Sequence, residues 1–582
     1  MRLTCLTPTY FLLRLECMNS VFSKKSSQVH LQRNAFDLSH SDVFSIAPGM
    51  LLPIHVSEVN PNEHFVISPA NYVRTMPLNS AAFTRLKQHI EFYFVPMRTL
   101  CRQFNQFIVG TDYKISNIDS LNNYKGNLPT FNIIDAAKGL INNSSRNIFG
   151  LPLSNDRVRL FDMLGYGLNS SNYLKFVTVP DSFHVNPFRF LAYQKVYFDH
   201  YRNPLYELNN PSAYNVDSYF GAPFTLNEVS STLRYRNWNK DYFTSLSPSF
   251  QGADYLTDIV DMSSVLQLKD NSNLKGHDFL PSTSTNLTWN GNSVPSSSTV
   301  GSLSRPDSPG LVFNIANLRA AYALDKLYRI SIAAGDGDYG SQIKAHYGFD
   351  AVHDDWKSQF IGGCSAPIQI SEVITTATTA DNSGELLATS GDIKGKGVSL
   401  NQGSFTFDSR EHGIIIGILS IVPEADYQSS MVDVFNMKTS REQYFQPEFQ
   451  DLGKQPIQST ELSFYVYSKS STNPKDRIVN NIIGFTNRYM EYKTSVNKVH
   501  GSFNTSGSLS AWASPRNNPL FVKSDYSSVF ISNASLKVDP RILNSIMAVS
   551  YDGTEPTDPF ICDCHVSVQA VRPMSVSGEP ML

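Results

Sequence analysis

The 582-residue chain has no long apolar run. No stretch approaches the roughly 18 uninterrupted apolar residues a spanning helix requires, so a soluble chain with no membrane insertion is expected. Charge is scarce too: 17% of residues are charged and the formal net charge is −3. No global basic field is available to hold a polyanion, so any such contact must be local or delegated to another protein. Cysteine is sparse and scattered, at Cys5, Cys17, Cys101, Cys364, Cys562 and Cys564, which fits reduced thiols better than a disulfide framework. Cys562 and Cys564 fall on the same side of a predicted strand as Phe560, Val566 and Val568, whereas His565 points to the other side. They read as core residues, and neither metal nor cofactor is expected.

Catalytic spacing is missing as well. The sequence contains no H-E-x-x-H, no paired C-x-x-C and no G-x-S-x-G. GDGDYG, Gly335 to Gly340, has the letters of a dinucleotide fingerprint, but it follows a predicted helix where that motif must follow a strand, and it reads as a helix-terminating turn. GDIKGKGVS, Gly391 to Ser399, lacks the spacing of a phosphate-binding loop. Glu411 and His412 are adjacent and find no third partner, so a turn or subunit contact is the better reading than acid/base chemistry. The chain reads as a non-enzyme.

What is abundant is aromatic: 28 Tyr and 37 Phe, with 32 Gly and 31 Pro, a composition that favours strands and elaborated loops over helical bundles. The run Ile414 to Val422, stopped by Pro423, predicts a strand buried on both faces. From Leu86 to Val95 apolar and polar residues alternate, predicting a half-buried strand. Asn186 and Pro187 open a predicted helix that runs to about Arg202. A second helix is predicted around Ala316, Ala320, Ala323, Leu327 and Ile330, whose small apolar face should pack on the β core. The polar stretch 270–310 predicts an exposed insertion, and Thr375 to Gly403 a second loop. Residues 1–17 are too interrupted for a signal peptide and read as an upstream start extension before Met18. A polar arm follows over 18–41, its basic groups being Lys24, Lys25, His30 and Arg33.

The segment from Asp408 to Gly453 resembles the major capsid proteins of the Microviridae, small tailless single-stranded DNA phages, and within them the gokushovirus-like groups. The similarity rests on Glu411, His412, Gly413, Ile416, Gly417, Ile418, Tyr444, Phe445, Leu452 and Gly453. Further matches in order are Ser41 to Ser68, Phe83 to Leu100, Asn186 to Asn203, Asp241 to Ser245, Leu318 to Ile330, Gly484 to Phe503 and Leu509 to Asn517. The resemblance implies a mainly β fold, a viral eight-stranded antiparallel jelly roll with long loop insertions and a few helices. Residues 42–185 would form its first part, 186–335 a helix-containing insertion with the protruding loop 270–310, and 336–582 the remaining strands and a C-terminal arm.

It further implies self-assembly into a non-enveloped T=1 icosahedral shell around circular single-stranded DNA, built in the bacterial cytoplasm. Partners implied are copies of the chain, packaged DNA, an internal scaffolding protein, a minor DNA pilot protein, a small basic DNA-binding protein and a bacterial surface receptor. Lys24, Lys25, His30 and Arg33 are then candidates for facing DNA, with a solvated or neighbour-bound terminus as the alternative. Arg441, Tyr444, Phe445, Phe449, Arg488, Tyr489 and Tyr492 are candidates for subunit anchors, since aromatics and Arg concentrate interface energy; packing within one subunit is the alternative. Trp289 is the candidate in a host-attachment loop. The competing reading is a secreted carbohydrate-binding or carbohydrate-active β-sandwich, suggested by the aromatic content and by sequons such as Asn286 and Asn504.

Overall fold

The run Ile414 to Val422 lies in a strand, Gly413–Pro423, that is buried at every position. Burial on both faces requires one layer inside and another outside, and the fold supplies both. The structure is a computed structural model. It describes residues 33–109, 128–141, 145–169, 173–176, 182–217, 226, 228–248, 339–349, 356–374, 376, 393–428, 431–462, 480–516 and 529–576, with short pieces at 267–268, 277–278, 288–289, 292–293, 322–324, 326–327, 329–331, 379–380, 386–388, 466–468, 476–478 and 521–522.

The long strands are β1 His40–Ile46, β2 Leu52–Val59, β3 His64–Thr75, β4 Leu86–Pro96, β5 Gln359–Ile374, β6 Ile393–Gln402, β7 Gly413–Pro423 and β8 Phe560–Arg572. Hydrogen bonding runs β1-β8-β3-β6 in one set and β2-β7-β4-β5 in the other, all antiparallel. β5 joins the sets: Gln359 to Ile368 pair with β4, and Gln369 to Ile374 pair with β6. With the short strands Asn34–Asp37 and Phe405–Asp408 this is one ten-stranded sheet curled into a β-sandwich. The interleaved order is the one an eight-stranded jelly roll has.

Side chains of both sets fill one core, including Ile54, Ile67, Ile90, Phe92, Ile416, Cys562, Cys564 and Val566. β8 alternates buried and exposed residues from Phe560 to Ala570, with both cysteines inside. Among the described residues no cluster of His, Cys, Asp or Glu is arranged to hold a metal ion. A chain of buried hydrogen bonds crosses the core: Asn71 donates to Gln88 (2.8 Å), Gln88 to Ser399 (2.8 Å), and Ser399 to the Pro367 carbonyl (2.7 Å). These groups come from β3, β4, β6 and β5, so satisfying them fixes the register of both layers together. Gly417 gives the Phe92 ring its space, because a Cβ there would lie 2.7 Å from ring carbons.

The outer layer is helical. α1, Leu153–Met163, is tied to the residues before β8 by a buried pair, Arg159 to Asp558 at 2.7 and 3.1 Å. α2, Phe188–Val196, starts later than expected, with the Asn186 side chain accepting from the Phe188 amide (3.4 Å), and continues as a π turn over Tyr197–Tyr201. His200 and Tyr201 cover Tyr93, at ring separations of 4.5 and 5.8 Å. That contact explains a departure from the expected half-buried strand: β4 alternates as far as Glu91, and from Phe92 to Pro96 every residue is buried.

Four other expectations are corrected. Asn34 to Asp37 and His40 to Ser41, expected in a polar arm, are already paired with β8. Ile393 to Gln402, expected in a loop, is β6; its inward positions are Gly395, Gly397, Ser399 and Asn401 while Leu400 points out, so its hydrophobic pattern is inverted. The inward glycines leave room for Ser80 and Thr75. Helix is present within 322–331, where Ala323 and Leu327 are exposed and Ile330 is half-buried; Ala316 and Ala320 lie outside the described residues, and among the described ones the face is not packed on the β core as expected. Of GDGDYG, expected as a helix-terminating turn, the last two residues instead open α3, Tyr339–Tyr347, and the first four lie outside the described residues.

Two predictions follow from the core. Gly417→Ala should destabilise the fold by about 1–3 kcal/mol through overpacking against Phe92, read as a lower denaturation midpoint. His55, stacked on His40 at 5.0 Å, joins β2 to β1. Burial, with help from His40 and Arg189, pushes it down to about 3. The unfolded chain therefore binds a proton that the folded chain refuses between about pH 6.5 and 3, and stability present above that window should fall by up to about 1.4 kcal/mol per pH unit as it is entered. Denaturant titrations of the wild type and His55→Gln at pH 7, 5 and 4 should converge toward acid.

Candidate assembly surface

A second, smaller core of Tyr242, Phe243, Leu246, Tyr427, Ile457, Leu462, Ile483, Ile531 and Leu536 lies beside the sandwich. It carries a two-stranded sheet of Lys454–Gln458 with Ile482–Asn487 and a parallel pair of Asp426–Gln428 with Asn497–Val499. The candidate anchors sit on the irregular segments around it. Pro447 opens the 3-10 turn Pro447–Leu452, and Ser440 with Gln443 caps the turn Arg441–Gln443 through reciprocal hydrogen bonds.

Tyr489 is the fastening point. It adopts a left-handed backbone, φ 60°, and is 2% exposed. Its hydroxyl accepts from the Gln446 amide and donates to the Tyr444 carbonyl, both at 3.2 Å, which staples 444–446 onto 488–492. The Arg488 guanidinium lies over the Tyr489 ring at 4.8 Å and donates to the Glu442 carbonyl (3.0 Å). The Phe445 ring is 5.0 Å from Tyr489 and 6.3 Å from Tyr492, and Tyr492 is 5.1 Å from Phe435.

Thus Tyr444, Phe445, Arg488, Tyr489 and Tyr492 come together. Tyr489 is spent inside the chain, whereas Tyr444 is 51% exposed and Phe435, Phe445 and Tyr492 are nearly as open. Arg441 is exposed and Phe449 half-buried on the same segment. Of the basic arm, Lys24, Lys25 and His30 lie outside the described residues; Arg33 is exposed and donates to the Asn62 carbonyl (3.1 Å). Trp289 stands in a two-residue strand pair, Thr288–Trp289 with Asn292–Ser293, separated in sequence by Asn290-Gly291, a strong hairpin signal the sequence reading passed over. Glu411 is held by Arg98 at 2.7 and 3.1 Å, and the His412 carbonyl accepts from Met97 (3.0 Å), so this pair builds the turn before β7.

Sequence reading missed the centre of the aromatic surface. Lys438 places its ammonium 4.3 Å from the Tyr492 ring and 4.6 Å from that of Phe435, and pairs with Glu491 at 2.8 Å, with the two side chains 4% and 5% exposed. Gln455 donates to the other Glu491 oxygen (2.6 Å). Burial opposes the Lys438 charge, but Glu491 and the Tyr492 hydroxyl outweigh it and hold the ammonium above the usual range. The partners are 53 residues apart, a separation at which no local spacing rule applies. A second aromatic pair, the exposed Phe83 on the half-buried Trp512 at 5.6 Å, is joined by the Phe83 amide donating to the Trp512 carbonyl (2.9 Å).

Removing one partner of the buried pair leaves an uncompensated charge. Glu491→Gln and Lys438→Met are each expected to destabilise this unit by about 3–5 kcal/mol, and the double variant by clearly less than the sum. Denaturant unfolding followed by Trp or Tyr fluorescence reads the coupling.

The surface is an exposed aromatic face on an internally hydrogen-bonded frame. Comparison with known proteins agrees with that character. Residues 25–582 match the model of the capsid protein (F protein) family. The chain is similar to capsid protein VP1 of Chlamydia phage 1, at 25% identity over 634 residues covering 97% of this chain and 98% of that protein. It is similar also to capsid protein VP1 of Bdellovibrio phage phiMH2K, at 22% identity over 531 residues covering 85% and 89%. With the match running almost from end to end, the chain belongs to the capsid protein (F protein) family, the major capsid proteins of the Microviridae.

Proposed function

We propose that the chain assembles with copies of itself into a small non-enveloped T=1 icosahedral shell enclosing circular single-stranded DNA. The observation that carries this reading is the family match across 25–582, which spans the sandwich and the aromatic unit together. As a capsid protein it resides in the virion and its role is structural; the carbohydrate-binding or carbohydrate-active alternative has no support. A closed shell needs several self-contacts per subunit, and exposed aromatic faces on rigid frames suit them.

In this reading Tyr444, Phe445 and Tyr492, with Phe435, are anchors buried against a neighbouring copy, flanked by Arg441, Phe449 and Arg488, while Tyr489 holds them in place. Lys24, Lys25, His30 and Arg33 face packaged DNA. The insertion 270–310 contributes to host attachment, with Trp289 its aromatic candidate. A scaffolding protein, a DNA pilot protein and a small basic DNA-binding protein complete the assembly.

The decisive experiment is expression from Met18 with the genomic neighbours, followed by sedimentation and electron microscopy. Uniform isometric particles containing this chain are expected; persistent monomers with the neighbours present would overturn the reading. In the same system Phe435→Ser with Tyr444→Ser should abolish particles while leaving the monomer's melting temperature within a few degrees. Wild-type particle yields from that variant would remove these residues from the interface.

A further inference from the structure

A broad cleft of about 790 Å³ runs between β4, the π turn after α2, the segment 236–247 and the Lys454–Gln458 strand. Its charge is one-sided. Arg202, Arg236, Lys240 and Lys454 line it, against one carboxylate, Glu91. Glu91 is already engaged by Arg236, at 2.9 and 3.1 Å. Arg202 donates to backbone carbonyls of Phe198 (3.3 Å) and Glu207 (2.7 Å). Among the described residues, neither Lys240 nor Lys454 has a carboxylate within ion-pair distance. Burial alone, with no compensating carboxylate, holds Lys454 below the usual lysine range. The cleft therefore carries three uncompensated positive charges in a chain whose formal net charge is −3.

Arg202 and Lys454 are half-buried and Lys240 is exposed; for the first two, a half-desolvated cation without a counter-charge costs free energy that a bound anion returns. Lys presents a point charge and Arg a planar fork, both suited to phosphate oxygens. The three cations without a carboxylate partner come from separate segments, which suits a ligand carrying several charges. The cleft is far larger than one phosphate needs and lies in the usual size range for pockets that bury a sizeable ligand. Tyr93, Tyr201 and Trp238 in its lining are buried, while His200 is exposed and Phe485 half-buried; the cations make phosphate oxygens the main contact, and such contacts are independent of sequence.

We propose that this cleft seats a short run of phosphodiester backbone of single-stranded nucleic acid, with Arg202, Lys240 and Lys454 as the phosphate contacts. The assignment rests on the capsid reading for the presence of such a strand, and it gives a near-neutral chain a local contact with its cargo.

The test uses unassembled full chain, wild type and Lys240→Ala/Lys454→Ala, with a fluorescent ten-residue oligo(dT) followed by anisotropy across a salt series. Losing two phosphate contacts should flatten the log affinity against log salt slope by about 1.4, since each contact to a single strand contributes about 0.7, and should weaken binding severalfold at low salt. Unchanged slope and affinity in the variant, or no binding by the wild type at low salt, would overturn the proposal. Inorganic phosphate and polyglutamate serve as competitors: weak competition by both is expected, whereas displacement by polyglutamate at equal charge concentration would assign the cleft to an acidic peptide. Particle formation is scored separately by microscopy, so failure of the capsid reading is distinguishable from failure of the cleft.

Discussion

The arrangement depends on one constraint, that β7 must be covered on both faces. Its run of Ile, Leu and Val leaves no side that water can occupy without a large loss of apolar burial. One face is met by the opposite sheet. The other needs a layer the sandwich does not contain, and the insertion between β4 and β5 provides it. α2 is buried along its length, and Tyr93, His200, Tyr201, Glu91 and Arg236 form a satisfied polar and aromatic seal over the neighbouring β4. A bare eight-stranded sandwich of this sequence would expose β7, so the insertion is part of the folding unit.

The same strand positions the aromatic surface. Leaving β7 at Pro423, the chain enters Asp426–Gln428, where Arg85 pairs with Asp426 (2.7 Å) and Glu424 (3.2 Å). Tyr427 then donates to Asp241 (2.7 Å) and accepts from Arg516 (3.0 Å) inside the small core. Surface and sandwich are thus connected by short, charge-assisted contacts rather than by a linker. An interface built on such a frame loses little side-chain and loop entropy on association, because its order is established within the subunit.

Legibility in the sequence followed the physics of each element. β7 and β8 were readable because an uninterrupted apolar run and strict alternation each report burial directly. β6 was not: its inward positions are glycines, a serine and an asparagine, chosen by the close approach of Thr75 and by the hydrogen bond from Gln88, and these constraints come from partners more than 300 residues away. The aromatic anchors were visible as composition, but Lys438 and Glu491, which organise them, look separately like ordinary surface charges. The Asn290-Gly291 hairpin signal was local and readable, and was masked by the polarity of the segment around it.

The basic cleft shows the limit of net charge as an argument. A formal charge of −3 rightly excludes a global field, yet charges buried in ion pairs contribute nothing to what a ligand meets. Arg159 is consumed by Asp558 and Lys438 by Glu491. What remains is set by which cations the fold leaves without an acid, and Lys240 and Lys454 are brought to one cleft only because the small core packs beside β4. On the proposed reading that separation is useful: near-neutrality limits repulsion between subunits, while attraction for a polyanion is confined to a concave site.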